Sequence, residues 1–216
     1  TLTATVTGIA AQEGLLNINN KVSDYIGNGW TSAPLAKENL ITCKNLLSMN
    51  SGLNDALGDT VTPNNLQYVA DAGTRWAYHN VYVKLQDVVA AATNQTWDSY
   101  FNNKLRNPIG MTGAWVTDPT ALSVYWSNSR SMARFGLLAL ANGNWNGTQI
   151  INSNYFNAEP LLKHLYPNFE KLTDEDKDLK LEKLALKYQD IITDHYNLLA
   201  KECFNVDKHR LEMKTE

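Results

Sequence analysis

Apolar residues recur at helical spacing in several stretches of this chain. At its start, Leu2, Val6 and Ile9 lie three to four positions apart, which predicts a buried helix over Thr1–Glu13 that Gly14 ends. The same spacing predicts further helices over Ile41–Met49, Asn80–Thr93, Trp97–Leu105 and from Ser127 or Asn128 to Leu140. Helices therefore supply most of the predicted secondary structure.

The stretches between these helices are polar or rich in glycine. Asn54–Pro63 is predicted to be a polar loop, and Asn142-Gly143 ends the last of the helices above. A tight turn around Trp145 then leads into a short strand at Gln149–Ile151. The prediction is a mainly α architecture with a few short strands, and an α+β fold is the alternative.

The distribution of charge predicts a boundary near Ala158. Residues 1–158 contain 9 Lys+Arg and 9 Asp+Glu, whereas residues 159–216 contain 10 and 13 and hold no Gly or Trp. A change this abrupt predicts a first domain over 1–158 and a charged helical tail over 159–216. One face of a predicted tail helix over 173–203 is mainly apolar and consists of Leu181, Leu184, Tyr188, Ile191, Ile192, His195 and Leu199. Such a helix needs a partner surface, which predicts self-association or docking of a partner.

Composition excludes several classes of function. The net charge is -3 and the basic residues form no stripe, which argues against a nucleic-acid partner. No apolar run is long enough to span a membrane. Cys43 and Cys203 lie too far apart in sequence to suggest a disulfide framework or a metal site, and the histidines show no ligand spacing. We therefore predict neither a metal nor another cofactor.

The segment Gly73–Asn80, immediately before a predicted helix, carries the candidate chemistry. Tyr78 and Asn80 are two residues apart, so both side chains can face the same cleft. A tyrosine acts as a base only where cationic neighbours lower its pKa from about 10. An asparagine offers a donor and an acceptor for an amide or ester substrate. A Tyr-x-Asn tripeptide is also compatible with a loop tyrosine that merely covers the core.

Six blocks of sequence follow one another in a characteristic order: Glu13–Asn17 with Lys21–Tyr25, Asn45–Leu53, Gly73–Asn80, Asn107–Met111, Ser131–Gly136 and the stretch up to Tyr155–Asn157. In these blocks, and so to about Ala158, the chain resembles the serine β-lactamase-related family. That family includes class C β-lactamases, D-alanyl-D-alanine carboxypeptidases, esterases and 6-aminohexanoate-dimer hydrolases. The implied fold is the helical part of the β-lactamase/transpeptidase-like fold, and the implied location is the bacterial periplasm or the exterior of the cell.

The resemblance implies a three-part site for hydrolysis of a small amide or ester. In the family a serine at the start of a buried helix attacks a carbonyl group, a lysine three residues later helps to remove its proton, and the tyrosine of Tyr-x-Asn completes the proton relay. Tyr78 and Asn80 match the Tyr-x-Asn motif, whereas the family gives His79 no role. The sequence contains no Ser-x-x-Lys, and the family's lysine would fall immediately before Thr1.

Three functional hypotheses follow. In the first, the chain is part of a serine hydrolase and is inactive by itself because the nucleophile and its lysine are missing. In the second, it is a non-catalytic binding or interaction module. In the third, the junction near Ala158 records a gene fusion without selected function.

Overall fold

The computed structural model describes residues 1–58, 60–153 and 155, which form helices and a few short strands within a compact unit over Thr1–Asn157. The predicted tail, with its helix over 173–203, lies outside the described residues. The helices are α1 (Leu2–Gln12), α2 (Ser23–Ile26), α3 (Leu35–Glu38), α4 (Cys43–Leu47), α5 (Lys84–Thr93), α6 (Trp97–Phe101) and α7 (Ser129–Leu140). Two antiparallel hairpins pair β1 (Ala114–Thr117) with β2 (Ser123–Trp126), and β3 (Asn144–Trp145) with β4 (Thr148–Gln149).

Helix α1 is buried on almost every side. Its buried residues include three threonines among the apolar ones: Leu2, Thr3, Thr5, Val6, Thr7, Ile9 and Ala10. The Thr7 hydroxyl donates a hydrogen bond of 2.9 Å to the Thr3 carbonyl one turn earlier, which satisfies a polar group that has left water. The helix packs against α5. A helix without a polar face belongs in the middle of a fold, and α1 forms the centre of this core.

Local capping explains why several helices start where the sequence predicts. Asn128 accepts a hydrogen bond of 2.9 Å from the Ser131 amide and so caps α7, which confirms the predicted start. Thr96 caps α6 in the same way, and a π-helical turn continues α6 to Arg106. No helix among the described residues is long and apolar enough to cross a membrane.

The predicted boundaries of one helix were wrong. The sequence predicted a helix over Ile41–Met49, but α4 covers only Cys43–Leu47. Thr42 and Asn45 form a capping box that starts the helix at residue 43, since each side chain binds the other's backbone amide. At the other end, Met49 takes a φ of 54°, which a continuing helix does not allow. The turn after Met49 bears directly on the candidate site.

Near the end of the unit, the ring of Tyr155 packs against α1 at Gly8, which has no side chain. A Cβ atom added to Gly8 would lie 2.4 Å from Cε2 of Tyr155, so only glycine fits beneath this ring in its present position. Nearby, the Asn152 amide donates to the Gln12 side chain. The close contact between the Tyr155 ring and α1 predicts a measurable energetic coupling between residues 8 and 155.

Replacing Gly8 by Ala is expected to have opposite effects in two backgrounds. With Tyr155 present, the added methyl group overlaps the ring and should cost about 1–3 kcal/mol of unfolding free energy. With Tyr155→Ala, the helical preference of alanine should instead stabilise the protein by up to about 1 kcal/mol. Urea unfolding of the wild type, both single variants and the double variant measures the difference. An equal effect of Gly8→Ala in both backgrounds contradicts the contact.

Candidate active site

The backbone of Gly73–Asn80 is anchored to the turn that follows α4. The Gly73 amide donates a hydrogen bond of 2.7 Å to the Asn50 carbonyl, and the Ala77 amide donates one of 2.9 Å to the Met49 carbonyl. The Asn50 side chain is itself held by the Asn45 side chain at 3.0 Å. The turn after α4 and the segment Gly73–Asn80, about 25 positions apart in sequence, therefore lie against each other. The position of the segment depends on how α4 ends.

Two ion pairs fix the same segment through its side chains. Asp71 accepts hydrogen bonds from Lys37 on α3 and from the Tyr68 hydroxyl, and the bond from Lys37 is the main cause of the lowered pKa of Asp71. Arg75 donates a hydrogen bond of 2.7 Å to Asp55, which is the main cause of the lowered pKa of the Asp55 carboxyl. Surface pairs add little stability. These pairs nevertheless hold Asp71 and Arg75, the two ends of a short loop, in fixed positions.

Tyr78 lies on the solvent side of this segment. Its side chain is 72% exposed, whereas His79 beside it is buried and Asn80 is partly buried. The tyrosine therefore does not cover the core, which was the alternative left open by the sequence. Asn80 begins a 3₁₀ turn (Asn80–Val83) that continues into α5. The two residues thus lie at the point where an exposed extended segment enters the helix packed on α1.

An open groove lies at the start of α1, next to this turn. It has a volume of about 320 Å³, and no side chain along it is charged at neutral pH. The residues that line it come from α1, the turn before α5, the β1–β2 hairpin and α7: Thr1, Leu2, Thr3, Tyr82, Trp115, Ser123, Val124, Tyr125, Met132 and Phe135. The groove can therefore accept a neutral, largely apolar group.

Tyr82 is the residue of the turn before α5 that lines this groove. Burial raises the pKa of the Tyr82 phenol, and the charge of a Tyr78 phenolate would raise it further, so the two phenols interact electrostatically. Tyr78 and Asn80 themselves are not among the residues that line the groove.

An aromatic cluster forms the rear wall of the groove. Trp115 of β1 and Tyr125 of β2 face each other in the hairpin, with ring centroids 5.3 Å apart. Phe101 packs edge-on against both, at 5.3 Å and 4.9 Å, and Trp97 contacts Trp115 at 5.2 Å. Edge-to-face contacts of this kind favour one arrangement of rings over others. The cluster therefore holds the hairpin on α6 and gives the groove a rigid side.

Neither the other hollow nor the free cysteine among the described residues offers chemistry that matches the predicted site. A larger hollow of about 540 Å³ lies at the opposite end of α1, beside Leu15 and Tyr25, but no predicted site residue lines it. Cys43 is a free, buried thiol, and burial raises its pKa to about 11, which leaves it protonated at neutral pH. No three His, Cys, Asp or Glu residues in the described part of the chain lie close enough to hold a metal ion.

A family model described as β-lactamase matches residues 1–153. The chain belongs to the β-lactamase family. Among curated proteins, no sequence matches it. The matched range includes every block that carries the resemblance up to the β3–β4 hairpin, and it ends just before the predicted boundary near Ala158.

Solved structures share the fold of this β-lactamase-family chain. One protein assigned as a β-lactamase, from Bacteroides dorei DSM 17855, has a TM-score of 0.58 at 17% identity, and the match covers 72% of this chain and 52% of that one. One assigned as a 6-aminohexanoate-dimer hydrolase, from Bacillus anthracis, has a TM-score of 0.57 at 20% identity, with coverages of 72% and 49%. A D-stereospecific amidohydrolase from Streptomyces sp. has a TM-score of 0.54 at 16% identity, with coverages of 69% and 61%. The chain therefore spans about half the length of the first two structures.

Sequence reasoning identified part of this candidate site and missed the rest. Tyr78 and Asn80 were named from the β-lactamase-family motif. Tyr82, Trp115 and the rest of the groove wall were not, because they come together only through the fold. The one signal for them in the sequence is the group of aromatic residues around Tyr125-Trp126, which no clean alternation marks as a strand.

Proposed function

We propose that this chain is part of a serine hydrolase that acts on a small amide or ester, with Tyr78 in the proton relay and Asn80 orienting the substrate. The observation that carries the proposal is the exposed Tyr78 side chain, four residues before Tyr82, which lines the groove at the start of α1. That groove opens where the family carries its nucleophile. A tyrosine there can exchange a proton with a serine and lysine one helical turn apart.

The nucleophile in this proposal is a Ser-x-x-Lys serine that precedes Thr1. The sequence over residues 1–216 contains no Ser-x-x-Lys. Loss of the nucleophile costs a covalent hydrolase on the order of 10⁶ in turnover. Our proposal is therefore that residues 1–216 alone do not turn over substrate, because Tyr78 has no serine or lysine with which to exchange a proton.

The lining of the groove favours an apolar group of the substrate. None of its ten residues carries a charged side chain at neutral pH, and Trp115, Val124 and Met132 offer apolar surface. We therefore propose that the groove holds an apolar part of a small amide or ester, and, from the family, that the protein has a periplasmic or secreted location.

Covalent labelling tests the proposal directly. Residues 1–216 and the full reading frame upstream of Thr1 are treated with a fluorescent penicillin and with an activated fluorescent ester. We expect stable labelling of the longer form, at a serine followed three positions later by lysine, and none of residues 1–216. A serine labelled within residues 1–216 overturns the assignment of the motif. A reading frame without Ser-x-x-Lys that also remains unlabelled overturns the hydrolase itself.

A second candidate is an interaction module, which exposed apolar residues on α7 favour. Met132, Leu137 and Leu140 are 44%, 56% and 82% exposed, and soluble proteins seldom leave such a row of side chains uncovered. In this alternative the protein self-associates and does not hydrolyse. Sedimentation over a range of concentrations distinguishes the two: a dimer that Leu137→Glu dissociates supports the module, and a monomer at every concentration contradicts it. A gene fusion without function is the remaining alternative, and the DNA across the junction near Ala158 tests it.

A further inference from the structure

The segment that carries Tyr78 alternates between buried and exposed side chains. Arg75, Ala77 and His79 are partly or fully buried, whereas Trp76 and Tyr78 are 68% and 72% exposed. His79 has φ −145° and ψ 143°, which is an extended backbone. In extended backbone, neighbouring side chains point to opposite sides, and residues two apart share a side. Tyr78 therefore projects away from the side into which His79 is packed, while Asn80 is partly buried and begins the 3₁₀ turn.

His79 is the most deeply buried side chain of this segment. It is 6% exposed, although histidine is polar and tends to stay at the surface. The lowered pKa of Asp55 has the hydrogen bond from Arg75 as its main cause, and the charge of His79 adds a smaller contribution. The alternation of buried and exposed side chains places His79 on the same side of the segment as Arg75, which binds Asp55.

We propose that His79 is a positioning residue, whose buried ring locks the extended segment and so fixes the direction in which the Tyr78 side chain projects. The role of Tyr78 rests on the proposed function, but its orientation does not. Hydrogen bonds from Gly73 and Ala77 hold the segment upstream, and α5 holds it downstream. Between them, His79 has the only fully buried side chain in Tyr78–Asn80, since Asn80 is partly buried and Tyr78 is exposed. The packing of its ring therefore decides which way Tyr78 turns.

Fluorine NMR on the whole chain tests this orientation without any need for catalysis. Residues 1–216 are labelled with 3-fluorotyrosine, and the Tyr78 and Tyr82 signals are assigned by their loss in Tyr78→Phe and Tyr82→Phe. We expect His79→Ala to shift and broaden the Tyr78 signal, because the segment becomes free to rotate. His79→Gln keeps a polar side chain of similar reach, and we expect it to restore most of the wild-type signal.

A variant that destabilises the core to a similar extent as His79→Ala distinguishes loss of positioning from a general loss of stability. Val88 on α5 is fully buried, and Val88→Ala destabilises the protein at a position nine residues beyond His79. We expect Val88→Ala to leave the Tyr78 signal unchanged. An unchanged Tyr78 signal in His79→Ala, or the same change in Val88→Ala, overturns the proposal. If His79→Ala does not fold, the comparison of His79→Gln with Val88→Ala decides in the same way.

A kinetic measurement links the orientation to the proposed function. In the longer form that reacts with ester, displacement of a proton-transfer group by about 1 Å can cost about 10²-fold. We expect His79→Ala to lower kcat by that factor and to leave KM nearly unchanged, since substrate binding in the groove does not involve His79. If the longer form shows no hydrolysis at all, the proposed function fails, while the fluorine spectra still decide the position of Tyr78.

Discussion

Replacing Tyr78 by Phe is expected to lower the acylation rate of the reactive, longer form by about 10² to 10⁴-fold, the usual contribution of a positioned acid–base group. Phenylalanine keeps the ring and removes only the hydroxyl. Since Tyr78 is 72% exposed, the variant should fold with unchanged stability, so the loss can be assigned to chemistry. The rate is measured by stopped-flow with an activated ester under single-turnover conditions. We expect kcat and kcat/KM to fall together, because the interaction is made only in the transition state.

Tyr82→Phe is the matched control for this measurement. Tyr82 lies four residues from Tyr78, lines the groove and has a phenol whose pKa is raised by burial, so that it stays protonated at neutral pH. It can affect binding of the substrate but is a poor candidate for proton transfer. We expect Tyr82→Phe to change KM more than kcat. If Tyr82→Phe loses more rate than Tyr78→Phe, the proton relay runs through Tyr82 and our assignment of the motif is wrong.

The sequence predicted those parts of the fold that local interactions determine. The start of α7 at Asn128 was predicted because the cap and the amide that it binds are three residues apart. Helix α3 was missed because its main determinant is not local. The buried Glu38 side chain accepts hydrogen bonds from the Gly29 amide and from the amide and hydroxyl of Thr31, which holds the preceding loop against a helix of only four residues.

The β1–β2 hairpin was missed for a similar reason. Its strands contain both inward and outward aromatic residues, so no clean alternation marks them in the sequence. At its base, Gly113 has a φ of 131°, and a Cβ atom there would lie 2.2 Å from the Trp126 carbonyl oxygen. This approach of two backbones joins residues 13 positions apart. The Tyr-x-Asn motif could therefore be found from the sequence, whereas the aromatic wall of the groove could not.

Gly52 is the position where a single methyl group is expected to cost the most stability. It has a φ of 77°, and a Cβ atom there would lie 2.1 Å from the Ala70 carbonyl oxygen and 2.9 Å from its carbon. The obstacle is backbone that cannot rotate away, because the Val69 and Ala70 amides both donate to the Gly52 carbonyl at 3.0 Å. We expect Gly52→Ala to combine about 1–3 kcal/mol of backbone strain with about 1–3 kcal/mol of overpacking. That is a large share of the 5–15 kcal/mol by which a domain is typically stable.

Gly58→Ala separates these two contributions. Gly58 has a φ of 79°, nearly the same as Gly52, but nothing lies within 4 Å of an added Cβ atom. It should therefore show the backbone strain alone, and the difference between the two variants in urea unfolding measures the steric conflict with Ala70. The loss of stability in Gly52→Ala should also affect the candidate site. The turn at Met49 and Asn50, which anchors Gly73 and Ala77, directly precedes Ser51-Gly52. Equal losses of stability in the two variants would show that residues 52 and 70 do not approach each other, and the anchoring of Tyr78 through that turn would then lose its physical basis.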